Sequence, residues 1–61
     1  MSMKHIYTAR AFDRHDTYVT HRAKIEGREA VNAFKREARK QHKNIAYFRV
    51  YDETKERTVE R

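Results

Sequence analysis

With 61 residues, 38% of them hydrophobic, and no cysteine, the chain has room for one small domain and no covalent staple. Disulfide frameworks and thiolate metal sites are excluded, and no stretch approaches the roughly 18 consecutive apolar residues of a membrane span. Fifteen Lys and Arg against nine Asp and Glu leave a net charge of +6, unevenly spread: residues 1–51 carry twelve cations and five acids, and residues 52–61 carry three and four.

A domain of this size buries only about 60% of its unfolded surface. Its hydrophobic content is also below the usual range of roughly 45–50%, so a homodimer would bury surface that one copy cannot. Four Tyr, three Phe and clear periodicities argue for a packed core rather than disorder. The opening MSMKHIYTARAF has neither an apolar signal core nor a cleavage site, which leads to the expectation of an intracellular, cytoplasmic protein without a membrane segment.

Residues 4–12 read as a first strand. Tyr7, Ala9 and Ala11 are assigned to its inner face, because alanines permit close approach of a helix. Ile6, Thr8, Arg10 and Phe12 take the other face. Asp13-Arg14-His15-Asp16 is a polar turn without glycine, so a connection of four or five residues is expected rather than a tight hairpin. Residues 17–26 alternate as a half-buried strand, with Val19, His21, Ala23 and Ile25 on one face and Tyr18, Thr20, Arg22 and Lys24 on the other. His21 reads as a partly buried histidine in that apolar row.

Gly27, the single glycine, stands where strand gives way to helix and suits a cap or tight corner. The spacing predicts an amphipathic helix over residues 28–43, with Ala30, Val31, Phe34 and Ala38 on one face. Arg28, Asn32, Lys35, Arg36, Arg39 and Lys43 fall on the opposite side. Asn44 is expected to end the helix. Residues 45–51 form a third strand, with Ala46, Phe48 and Val50 inward and Ile45, Tyr47, Arg49 and Tyr51 outward. A turn at 52–55 leads to a short fourth strand at 57–59, the alternatives being a frayed helix or a flexible tail.

The expected class is α+β: a single β-β-α-β(β) domain over 1–61, with one helix on one face of a three- or four-stranded sheet. The other sheet face is left uncovered. On it Tyr18, Arg22, Tyr47, Arg49 and Tyr51, with Arg10, interleave rings and guanidinium groups, a composition suited to base stacking and phosphate contact. The helix offers a second basic surface in Arg28, Lys35, Arg36, Arg39 and Lys43, where Asn32 could address adenine. The leading expectation is a nucleic-acid-binding module for DNA or RNA, these side chains being its contacts. The alternative is an interaction module, an inhibitor or accessory subunit of the kind carried by phages, docking on an acidic protein partner. The run Ala46-Tyr47-Phe48-Arg49-Val50-Tyr51 is superficially similar to one strand of RNA-recognition motifs, but that motif's glycines and second helix are missing.

Catalysis is not expected. One glycine cannot build a phosphate loop, and the single serine is Ser2. A metal-independent ribonuclease could draw on His, Arg, Lys and Tyr, but no spacing selects a site. His5, His15, His21 and His42 show no metal-ligand spacing, and no metal or cofactor is called for.

Overall fold

The structure, a computed structural model, describes residues 4–60; Ser2 and Arg61 lie outside them. Its elements are β1 (Ile6–Phe12), β2 (Tyr18–Glu26), α1 (Arg28–Gln41), β3 (Tyr47–Asp52) and β4 (Arg57–Glu60). The strands form one open antiparallel sheet in the order β2-β1-β3-β4. Both β2 and β3 run antiparallel to β1, so they are parallel to each other, and α1 is the crossover that joins them. The helix packs against β2 and β1. The domain is the expected α+β arrangement, and the weak fourth strand is formed.

The core lies between α1 and the inner sheet face. Tyr7, Ala9 and Ala11 of β1 are buried, the two alanines completely. They let Val31, Phe34 and Ala38 of the helix settle close to the sheet, against Ile25, Phe48 and Val50. Phe34 meets Phe48 edge to face, with centroids 6.1 Å apart and planes at 73°. Such a pair adds about 0.5–1.5 kcal/mol beyond its buried area.

Several face assignments change. The strict alternation read in residues 17–26 is broken twice, because β2 bulges against β1 opposite Thr8 and again at Val19. At the first bulge Lys24 takes a φ of 56°. Each bulge inserts one residue and switches the faces on either side. Ile25 and Val19 still meet the core, whereas His21 and Ala23 are exposed. His21 pairs with Arg10 on the outer face. Arg22 moves the other way: it pairs with Ala9 and places its guanidinium 5.5 Å over the Phe34 ring.

The helix ends at Gln41, short of Lys43, with His42 extended and donating its N–H to the Ala38 carbonyl at 2.8 Å. Ala30 is exposed at the edge of the apolar stripe. Ile45 is buried and Ala46 exposed, the reverse of the alternation read there, because β3 proper begins only at Tyr47. The extended approach is pinned by the Ala46 N–H, which donates to the Phe12 carbonyl at 2.8 Å.

Gly27 makes the corner between β2 and α1. Its φ of 84° and ψ of 156° lie in a region essentially reserved for glycine. A Cβ built there would meet Lys4 Cδ at 3.2 Å. The Gly27 N–H donates to the His5 carbonyl at 3.0 Å, tying the helix start to the beginning of β1. No side chain caps this end, but Glu29 in the first turn and Arg39 and Lys40 in the last complement the helix dipole.

Candidate functional site

Two basic surfaces are placed very differently. On the helix, the cations do not form a stripe opposite the core. Arg28 lies with its guanidinium 5.7 Å from the Tyr7 ring, and Arg39 sits 5.0 Å from the Phe48 ring. Lys35 Nζ is 5.8 Å from Phe48 and donates to both Glu60 carboxylate oxygens at 2.5 and 2.6 Å. Three of the five helix positions thus flank the apolar stripe and bring their charged heads over core rings. Arg36 and Lys43 remain exposed without such contacts, together with Lys40.

The outer sheet face has no helix against it. Its composition follows from register. The pairs Phe12↔Tyr18 and Phe12↔Tyr47 put three aromatic rings in one row across β2, β1 and β3. Phe12 and Tyr47 stack with centroids 5.3 Å apart and planes at 16°. The pairs Arg10↔His21 and Arg10↔Arg49 make the next row cationic through its two arginines, with the His21 imidazole alongside. Arg49 reaches back to hold its guanidinium 5.6 Å from the Phe12 ring. Thr8, Tyr51 and Thr58 form the third row. Of the residues expected here, Tyr47, Arg49, Tyr51, Tyr18 and Arg10 are brought together and Arg22 is not. Phe12 and His21 were not singled out as site residues. Strand parity already places Phe12 beside Arg10, but no sequence signal reveals the bulge that turns His21 outward.

Hydrogen bonds fix the rings. The Tyr47 hydroxyl donates to Asp16 Oδ1 at 2.8 Å, and this bond to a carboxylate raises the phenol above its ordinary pKa. The Tyr18 hydroxyl is bonded to His21 Nδ1. Asp16, with a φ of 62°, is presented by the β1–β2 turn. Asp13 holds that turn, its carboxylate accepting the His15 and Thr17 amides at 2.8 and 2.9 Å. The Thr17 amide bond, with help from His15 and Arg14, keeps Asp13 below the usual carboxylate range against the opposing effect of desolvation.

Charge is unbalanced within the cationic row. Arg10 and Arg49 face each other directly, with His21 on the far side of Arg10. Among the described residues neither arginine forms a salt bridge; the one Lys or Arg bridge is Lys35–Glu60. Like charges opposite one another in a sheet are destabilising. Elsewhere the polar groups are matched, and among the described residues no buried side-chain nitrogen or oxygen lacks a partner.

The far end of the sheet is acidic and structural. Asp52 is 2% exposed on the inner face of β3. Its carboxylate accepts from His5 Nδ1 at 2.7 Å and from the Lys55 amide at 3.1 Å. Burial pushes its pKa up, but the His5 and Lys55 bonds outweigh that and hold it below the usual carboxylate range. A depressed folded pKa stabilises the fold above the unfolded value near 3.9, and that stability is lost as pH falls through the lower folded value. Urea midpoints measured from about pH 6 to about pH 2 are expected to drop through that acid limb, and Asp52→Ala is expected to flatten it. An unchanged limb in the variant would assign the acid sensitivity to other groups.

Among the described residues no group of three or more His, Asp or Glu side chains converges as a metal site. No helix among them is long and apolar enough to cross a membrane. Searches against family models, curated proteins and solved structures found no match to this chain.

Proposed function

We propose that the protein is a nucleic-acid-binding module whose principal contact surface is the outer face of the sheet. The observation that carries this reading is the Arg10↔Arg49 pair, two like charges facing one another with neither arginine in a salt bridge among the described residues, and with the His21 imidazole beside them. A chain that matches its buried polar groups so fully leaves this conflict on one uncovered face. Such a local conflict is what a site for a polyanion looks like before its ligand arrives. Phosphates would supply the missing counter-charge. The adjoining row of Tyr18, Phe12 and Tyr47 offers ring surface to what the phosphates carry. Arg36, Lys40 and Lys43, exposed near the end of α1, add to the field that draws a polyanion in.

The test is binding of DNA and RNA oligomers as a function of salt. Each phosphate neutralised contributes about −0.9 to the slope of log affinity on log salt for a duplex and about −0.7 for a single strand. With two arginines in the row, a slope of roughly −1.4 to −1.8 is expected. Flat binding across salt, or no binding at low salt, would reject the reading.

A second reading rests on Tyr18, which at 52% exposure is the one large exposed hydrophobic side chain among the described residues. A ring beside arginines also suits an anchor for an acidic protein, or for a second copy of the chain. Molar mass in solution with and without nuclease separates the readings. A mass that falls on nuclease treatment indicates nucleic acid, whereas a complex that survives indicates protein.

A further inference from the structure

We infer that the ligand of the outer sheet face is single-stranded, with bases stacked on Tyr18 and on the Phe12–Tyr47 pair and with phosphates over His21, Arg10 and Arg49. This rests on the nucleic-acid reading and narrows it to unpaired strands.

The geometry argues for unpaired bases. The aromatic row and the cationic row cross the same three strands, two residues apart along each of β1 and β3. Neighbouring strands are about 4.8 Å apart and two residues of strand advance about 7 Å, so each row spans about 10 Å and the rows lie about 7 Å from one another. A base and the phosphate attached to it can therefore sit on adjoining rows at once. In a duplex the base faces are hidden in the stack and only edges and backbone are accessible. Rings laid on a flat sheet have nothing to stack on there. In a single strand every base has an open face, and aromatic side chains exploit it with little regard to sequence.

The three rings differ in readiness. Phe12 is half-buried, stacked with Tyr47 and approached by the Arg49 guanidinium at 5.6 Å from its ring centroid. Tyr18 is the free platform. Its ring meets only His21 among aromatic neighbours, at 5.6 Å and 47°, and its hydroxyl is bonded to the same residue. The bulge at Val19 makes this possible. It turns Val19 and Thr20 toward the core side and leaves residues 18 and 21 together on the outer face. An exposed ring held at its tip by a side chain of the cationic row is fixed in orientation before any base arrives, which lowers the ordering cost of binding.

The chain supplies its own probe. It has four tyrosines and no tryptophan. Tyr18 and Tyr47, two of the four, are stacking rings on the outer face, so base stacking there quenches part of the intrinsic emission. The intact protein is titrated with three ligands of about 12 nucleotides: an oligothymidylate, a chain of abasic sites with the same phosphates, and a duplex. The oligothymidylate is expected to quench tyrosine emission and to bind more tightly than either of the others. Tyr18→Ala is expected to weaken oligothymidylate binding by about 5- to 150-fold and to leave abasic binding nearly unchanged. Tyr18→Phe keeps the ring but loses the hydroxyl bond to His21, and is expected to bind with an affinity between those of Tyr18→Ala and the unaltered protein. Circular dichroism confirms that each variant is folded.

Equal binding of all three ligands with a normal salt slope would overturn this inference and leave phosphate binding standing. Tighter binding of the duplex would overturn it likewise. No binding of any ligand at low salt would overturn both readings.

Discussion

Phe34→Ala is expected to remove a large part of the chain's stability at 25 °C. Truncating a buried phenylalanine costs about 3–5 kcal/mol. A domain of this size has a total stability on the order of 3–9 kcal/mol at the usual value per residue. Phe34 sits at the centre of what holds the two layers together. It is 7% exposed, lies edge-on to Phe48 and carries the Arg22 guanidinium over its ring. Much of the remaining core under the helix is alanine, with Ala9, Ala11 and Ala38 buried around it. Small neighbours cannot move in to fill a ring-sized void, so the cost should fall toward the upper end of that range. Circular dichroism and a urea titration measure it. Phe34→Leu, which keeps most of the volume, should remain folded with a loss of about 1.5 kcal/mol or less. A Phe34→Ala protein with a near-native midpoint would place the packing centre elsewhere.

The core was largely legible in the residues because helical spacing is hard to disguise. Val31, Phe34 and Ala38 recur at intervals that only one helix face satisfies, and all three are buried. The inner face of β1 was readable for a related reason. Two alanines in a strand make poor surface but good contact with a helix, and Tyr7, Ala9 and Ala11 point inward. What could not be read was β2. Alternation assumes that each residue advances the pleat by one step, and two bulges break that assumption within nine residues. His21 and Arg22 exchanged faces as a result, and the site gained one residue and lost the other. The loop after the helix failed for the same kind of reason. Ile45 and Ala46 precede the paired strand, so strand parity does not apply to them. The helix cations show a further limit. Helical spacing alone puts Arg28 and Arg39 on the side opposite the core, but it cannot show long side chains folding back over Tyr7 and Phe48.

That distinction between cations leads to an opposed pair of variants. Arg10→Glu should weaken nucleic-acid binding while leaving the fold as stable as before, or more so. In the free protein it turns a like-charge pair with Arg49 into an opposite-charge pair, a change from destabilising to favourable by about 0.2–1 kcal/mol. In the complex it removes a phosphate contact and puts a carboxylate in its place. Affinity at physiological salt should fall on the order of 100-fold, and the salt slope should flatten by about one. Arg36→Glu combined with Arg39→Glu should behave in the reverse sense. Arg39 covers the Phe48 ring, so its loss costs stability through packing as well as charge. The pair is also remote from the outer face in the sheet–helix arrangement, so it should weaken binding mainly through the overall field, with a strong dependence on salt. Urea midpoints and oligomer titrations on the same preparations give both readouts. If the helix pair abolishes binding and Arg10→Glu leaves it intact, the contact surface is the helix, and the Arg10–Arg49 conflict has another cause. If Arg10→Glu lowers stability, the like-charge pair is already relieved within the free protein and the reason for placing the site on the sheet disappears.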